Sequence, residues 1–212
     1  MIEKYLNKIH NCDCLELMKK LPDNCVDLVL TDPPYFNGPN RADFYGKNRY
    51  MKSEHWDIPK LEHYNEMIRV SKNQIIFGIN YFEFSNKTKG RLVWDKKNDT
   101  STFSNCEIAS CSIIKSVKIY RYLWNGMLQQ NMKNKEKRVH PTQKPVALGE
   151  WILNLYSTKD DIVLDCFAGS GSFLVACERL GRKWLGCEIS EEYCRIANER
   201  IKAEQAQGKL SL

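Results

Sequence analysis

Apolar residues along the chain fall into two alternating patterns. Continuous runs of strand length at Cys25–Thr31, Gln74–Ile79, Arg91–Trp94, Asp161–Asp165 and Lys183–Cys187 predict buried strands. Shorter segments near Lys8–Asn11, Glu107–Ile114 and Val117–Tyr122 predict further ones. Between them lie helical spacings. Leu148, Trp151, Ile152 and Leu155 predict an amphipathic helix over 145–157, with Pro145 near its first turn. Ser172–Leu180 reads as a second helix, stopped by Gly181. Ile189, Tyr193, Ile196, Ala197 and Ile201 mark the last, N-capped by Ser190 and with Glu191 and Glu192 in its first turn. Alternating strands and helices argue for an α/β fold with a mostly parallel sheet. Residues 36–60, rich in Gly, Pro, Asn, Arg and aromatics, and the polar, basic residues 123–144 break this rhythm. Long irregular loops inside a compact domain are usually functional or disordered.

Length and composition narrow the class. The 212 residues suit a single domain. Hydrophobic residues at 42% and charged residues at 27% are ordinary for a soluble globular protein. No run of 18 apolar residues predicts a membrane span, and the first ten residues carry no secretion signal, so a cytoplasmic protein is expected. Nine cysteines without a CxxC pair disfavour zinc knuckles and thioredoxin-type sites, and suit a reducing compartment. No metal site is expected. The net charge of +6 is uneven: residues 1–149 hold 24 Lys and Arg against 16 Asp and Glu, and residues 150–212 hold 8 against 10. Between Glu107 and Glu136 there is no acid, whereas Lys115, Lys118, Arg121, Lys133 and Lys135 fall there. Such asymmetry is a footprint for a polyanion.

Two motifs carry chemistry. Asp165-Cys-Phe-Ala-Gly169-Ser-Gly171 follows a strand and opens a helix, the ligand crevice of a doubly wound sheet. Glu188 ends the next strand, where an acid commonly holds ribose hydroxyls, so the pair reads as a nucleoside site. It is not the dinucleotide fingerprint of a Rossmann oxidoreductase, because Leu174 stands at the third glycine position, and no Gly-Lys-Ser/Thr marks a P-loop. The second motif, Thr31-Asp32-Pro33-Pro34-Tyr35, ends a buried strand. Its two prolines hold the chain extended and remove two N–H donors. The corner presents a carboxylate, a backbone carbonyl and an aromatic face. Methylation of an exocyclic amine needs such a set, because the amine lone pair is delocalised into the base. Asp32 and the Pro33 carbonyl can bind the two N–H groups and turn the lone pair out of plane, while Tyr35 stacks on the ring.

These motifs, with His140-Pro-Thr-Gln-Lys-Pro145 and the Asn11–Leu17 segment, resemble the amino-group DNA methyltransferases that use S-adenosylmethionine. The motif order is that of the circularly permuted "β" arrangement, and the resemblance runs from about Ile9 to about Arg200. It departs at Cys166, where Pro is common, at Ile79, where a second Gly is common, and at Ser172-Phe173, where two Thr are common. The resemblance implies a doubly wound, mostly parallel seven-stranded sheet in one methyltransferase domain, with 123–139 a short target-recognition insertion.

The resemblance also implies roles. Asp32, Pro33, Pro34 and Tyr35 would be catalytic. Asp165, Phe167, Ala168, Gly169, Ser170 and Gly171, with Asp32, would line the methionine half of S-adenosylmethionine. Glu188 would hold its ribose, Asp13 and Cys14 would flank its adenine, and Lys144 with Gln143 and Pro145 would close over the methionine end. Lys144 suits the methionine carboxylate and Asp165 the ammonium. Cytosine C5 chemistry would need a nucleophilic cysteine, usually after proline, and no Pro-Cys occurs. Asp at the first position of the catalytic motif favours adenine N6, with cytosine N4 the alternative and an inactive DNA-binding relative a rival. Duplex DNA with a flipped base is the expected partner. Arg41, Lys47, Arg49 and Lys52 lie among Phe44, Tyr45, Tyr50 and Trp56, a mixture suited to phosphates and stacking. Arg121, Lys133, Lys135 and Arg138 join them as expected DNA contacts. A second subunit and a companion restriction endonuclease are further expected partners.

Overall fold

The structure, a computed structural model, describes residues 2–35, 38–39, 55–82, 88–99, 104–125 and 127–210. The expected DNA contacts Arg41, Lys47, Arg49 and Lys52 lie outside these residues. Eight strands build the main sheet: β1 (Ile9–Asn11), β2 (Val26–Thr31), β3 (Ser71–Phe77), β4 (Gly90–Asp95), β5 (Cys106–Cys111), β6 (Val117–Arg121), β7 (Ile162–Asp165) and β8 (Lys183–Glu188). Their spatial order is β1-β8-β7-β2-β3-β5-β4-β6. Neighbours are parallel from β1 to β3, β5 runs antiparallel to both β3 and β4, and β6 is parallel to β4. The count is eight rather than seven, with the short expected segments β1 and β6 pairing as the two edge strands.

The apolar runs of β2 and β7 reflect burial on both faces, as parallel strands covered by helices require. Side chains alternate between the faces. Leu28, Leu30 and Val163 pack with α3 (Val146–Tyr156), α4 (Ser172–Arg179) and α5 (Glu191–Leu210). Val29 and Leu164 pack with α1 (Cys14–Met18) and α2 (Leu61–Val70). Each such aliphatic side chain contributes about 1.5–3 kcal/mol by leaving water. Ser190 caps α5 as expected, its Oγ accepting the Tyr193 N–H at 3.2 Å. Helices α1 and α2 were not anticipated. The first has only five residues and is capped by Asp13, whose Oδ1 accepts the Leu15 N–H at 2.8 Å. The second buries Tyr64, Met67 and Val70, one residue in three.

The segment over 123–144 is more ordered than its polarity suggests. Trp124–Asn125 pairs antiparallel with Leu128–Gln129. The Gln129 side-chain amide then mimics a strand partner: its Oε1 accepts the Glu136 N–H and its Nε2 donates to the Glu136 carbonyl, both at 2.8 Å. Glu136 Oε1 in turn accepts the Val146 N–H at 3.0 Å and so caps α3.

From β7 the chain continues to β8 on one side, and from β2 to β3 on the other. The strand order therefore reverses between β7 and β2. A crevice opens outside the carboxyl ends of strands at such a point. Asp165 ends β7, Asp32 follows β2 and Glu188 ends β8, so three acids gather at one edge of the sheet. No helix among the described residues is long and apolar enough to cross a membrane.

Candidate active site

Thr31 joins the two strand tips. Its buried hydroxyl donates to Asp165 Oδ1 at 2.7 Å and accepts the Phe167 N–H at 3.1 Å. Asp165 Oδ1 also accepts that N–H, at 3.2 Å. Burial raises the Asp165 pKa to about 7 against the bonds from Thr31 and Phe167, and the nearby charges of Asp32 and Glu188 add to the rise. A cation drawn to this carboxylate would favour its ionised form.

The glycine loop is held from both sides. Glu188 Oε2 accepts the Gly169 N–H at 2.7 Å, and Oε1 accepts the Ser190 N–H at 2.9 Å. From behind, Arg200 donates to the Ser170 carbonyl at 2.6 Å and to the hydroxyls of Ser170 and Ser172 at 3.0 and 3.2 Å. Gly169 has φ +52°, a left-handed conformation that favours glycine.

A partly buried charge cluster surrounds the Asp-Pro-Pro-Tyr corner. The Lys144 ammonium donates to Asp32 Oδ2 and lies 2.7 Å from Glu107 Oε2. Glu107 Oε1 pairs with Lys96 at 2.7 Å. The Tyr35 hydroxyl donates to Asp32 Oδ1 at 2.5 Å and to Glu107 Oε2 at 3.2 Å. Two cations and two anions balance, which is the condition for keeping charges in a dry site. Burial alone would raise the Glu107 pKa, but Lys144 and Lys96 outweigh it and hold it at about 2. Burial opposes the charge of Lys144, yet Asp32 and Glu107 raise its pKa above the ordinary lysine value. At Asp32 burial wins: its pKa is raised, with Lys144 pulling it down and Glu107 pushing it up. Tyr35 stacks on Tyr81, with ring centroids 4.8 Å apart and planes 14° from parallel. A cavity of about 180 Å3 opens between this corner and the glycine loop, lined by Asp32, Tyr35, Glu107, Lys144, Phe167 and Glu188. A larger apolar depression of about 540 Å3 lies beyond Tyr81, with Arg91 as its one charged wall residue among those described.

The structure thus brings Asp32, Pro33, Pro34, Tyr35, Lys144, Phe167, Gly169 and Glu188 around one cavity. Asp165, Ala168 and Ser170 line its extension with Gln143. Three of the expected contact residues have partners within the chain. The Lys144 ammonium, expected to face a carboxylate of the cofactor, pairs with Asp32 and Glu107. The Gln143 side chain pins its own loop: Oε1 accepts the Val139 N–H at 2.9 Å and Nε2 donates to the Lys137 carbonyl at 3.2 Å. Arg138 turns inward, donating to the Pro141 carbonyl at 3.0 Å and lying over the Trp124 ring. Asp13 and Cys14 sit behind Phe167 with His63, whose ring lies 6.3 Å from that of Phe167. Burial pushes the Cys14 thiol well above its ordinary pKa. Lys133 and Lys135 are exposed, as is Arg121, which reaches Asp95 at 3.4 Å. Sequence reasoning assigned no site role to Thr31, Gly78, Lys96, Glu107 or Arg200.

Fold and cleft define an α/β nucleoside-binding enzyme of the amino-methyltransferase class, and comparison with known proteins agrees. The pattern of the DNA methylase family matches residues 95–199. YubD of Escherichia coli (strain K12), whose name assigns it to the methylases, is 30% identical over 209 residues, covering 91% of this chain and 89% of that protein. The type II methyltransferase M.HpaI of Haemophilus parainfluenzae is 29% identical, covering 91% of this chain and 73% of its own. The crystal structure of the M1.HpyAVI–SAM complex superposes with a TM-score of 0.58 at 26% identity, covering 91% of this chain and 98% of that one. The chain belongs to the DNA methylase family, the amino-group methyltransferases that depend on S-adenosylmethionine.

Proposed function

We propose that this chain transfers the methyl group of S-adenosylmethionine to the N6 amine of adenine in duplex DNA. The observation that carries the reading is the Asp32 carboxylate on a Pro-Pro corner, one strand away from Asp165 at the switch point of the sheet. The residues present fit the cofactor. Asp165 and Glu188 at adjacent strand tips match an ammonium and a pair of hydroxyls, and Phe167 offers an aromatic face beside Asp13, Cys14 and His63. The cofactor supplies a methyl group made electrophilic by a positively charged sulfur. Asp32 and the Pro33 carbonyl bind the two N–H groups of the target amine and turn its lone pair toward that methyl. Asp32 opposes the positive charge that develops on nitrogen and takes up the proton released. Orientation of this kind is worth about 7–11 kcal/mol in favourable cases. The base leaves the helix to reach the cavity. Lys133, Lys135 and Arg121, with Arg41, Lys47, Arg49 and Lys52, contact the phosphates, and 123–139 reads the target.

The test is incubation with methyl-labelled S-adenosylmethionine and duplex DNA, followed by digestion and mass spectrometry of the nucleosides. N6-methyladenine is expected. Labelled N4-methylcytosine would overturn the base assignment and keep the amine chemistry; unlabelled DNA would overturn the function.

A further inference from the structure

Glu107 comes to the cleft by an unusual route. It stands near the start of β5, which runs antiparallel to β3, so its N-terminal end lies beside the carboxyl ends of the parallel strands. Both oxygens of Asp32 are engaged there, Oδ2 by the Lys144 ammonium and Oδ1 by the Tyr35 hydroxyl. A target amine that takes the place of one of these donors on Asp32 leaves that donor in need of another acceptor. The hydroxyl has a second acceptor in Glu107 Oε2 at 3.2 Å, and the ammonium has the same oxygen at 2.7 Å. A buried ammonium released without a partner would carry a large desolvation penalty.

We infer that Glu107 is a positioning residue of methyl transfer: it retains the Lys144 ammonium when the target amine replaces that ammonium on Asp32, while Lys96 anchors its other oxygen. The inference rests on the methyl-transfer reading above. It explains why a second carboxylate and a second lysine are partly buried beside a corner whose proposed chemistry needs one acid. It also gives Lys144 a role that does not require it to leave the cavity.

Glu107→Gln separates this role from packing, because the amide keeps the shape and removes the charge. In this variant Lys144 has Asp32 as its one remaining anionic partner among the described residues, and the amine competes against an undivided ion pair. Single-turnover transfer is expected to fall by roughly tenfold or more, while the affinity for S-adenosylmethionine and the melting temperature stay near those of the parent. The groups facing Asp32 are Lys144, Tyr35, Glu107 and Asp165. His140 lines the same cavity, and burial first, then the charges of Lys144, Arg138 and Arg200, depresses its pKa to about 3, so it is neutral across the working range. Removing the Glu107 charge removes a repulsion from the Asp32 anion and lowers the Asp32 pKa. The acid limb of the rate–pH profile, which requires ionised Asp32, therefore moves to lower pH. Glu107→Asp, which keeps the charge, recovers part of the rate and the parent limb. The proposal requires both the rate loss and the shift. A parent rate, an unshifted limb, or parallel losses of cofactor affinity and melting temperature would each overturn it. The parent is assayed alongside: a parent that transfers no methyl group to DNA defeats the functional reading, whereas an active parent with a parent-like Gln variant defeats only the role of Glu107.

Discussion

Gly78 shows how much of the Asp-Pro-Pro-Tyr corner rests on one backbone conformation. It follows β3 with φ +77°, and a Cβ placed there would lie 2.2 Å from the Tyr35 ring. Glycine is needed twice, for the left-handed backbone and for the space that Tyr35 fills. Gly78→Ala is expected to cost about 1 kcal/mol or more of stability, because alanine is strained at positive φ. It should also push Tyr35 off Tyr81 and away from Asp32, lowering methyl transfer while leaving S-adenosylmethionine affinity near the parent value. Thermal melting and single-turnover kinetics check the two halves; a parent transfer rate would show that Tyr35 tolerates the shift. At this scale the Asp-Pro-Pro-Tyr corner and Asp165 were legible, because consecutive residues carry their own chemistry. Gly78 was not. Its meaning depends on a ring 43 positions earlier in the chain.

Among the elements, the link between the segment at 127–139 and the glycine loop is the most consequential. Arg200 on α5 holds Ser170 and Ser172 on one side and lies 3.5 Å from Glu136 on the other. Glu136 is fastened to Gln129 and to the first turn of α3. Arg200→Met keeps the aliphatic stem and removes these bonds. Losing charge-assisted bonds to the glycine loop is expected to weaken S-adenosylmethionine binding by about 1–3 kcal/mol, as titration calorimetry would show. Glu136→Gln should be milder, since an amide oxygen still accepts the Val146 N–H. Unchanged affinity in Arg200→Met would remove this brace from the account. The central strands were legible because burial on both faces leaves continuous apolar runs. The order of 127–144 was hidden because side-chain amides, not a hydrophobic period, supply its bonds. Helix α2 was missed although Tyr64, Met67 and Val70 recur at helical spacing.

For the whole molecule, the defining feature is the reversal of strand order between β7 and β2, which sets the proposed amine corner beside the nucleoside loop. Motif order along the chain made both halves of this cleft readable before the fold was known. The antiparallel contribution was not readable, because Glu107 enters from a strand without a motif and meets Lys144 and Asp32 only in three dimensions. The central claim is that Asp32, although expected also to line the methionine half of the cofactor, acts chiefly on the target amine. Its most direct test is single-turnover methyl transfer to DNA by Asp32→Ala with the cofactor saturating. Lys144 keeps Glu107 as a partner in that variant, so the buried ammonium stays compensated. The account predicts retained S-adenosylmethionine binding and a rate lowered by at least roughly a hundredfold, the loss expected when one preorganised polar group at a reacting centre is removed. Transfer at the parent rate would contradict it.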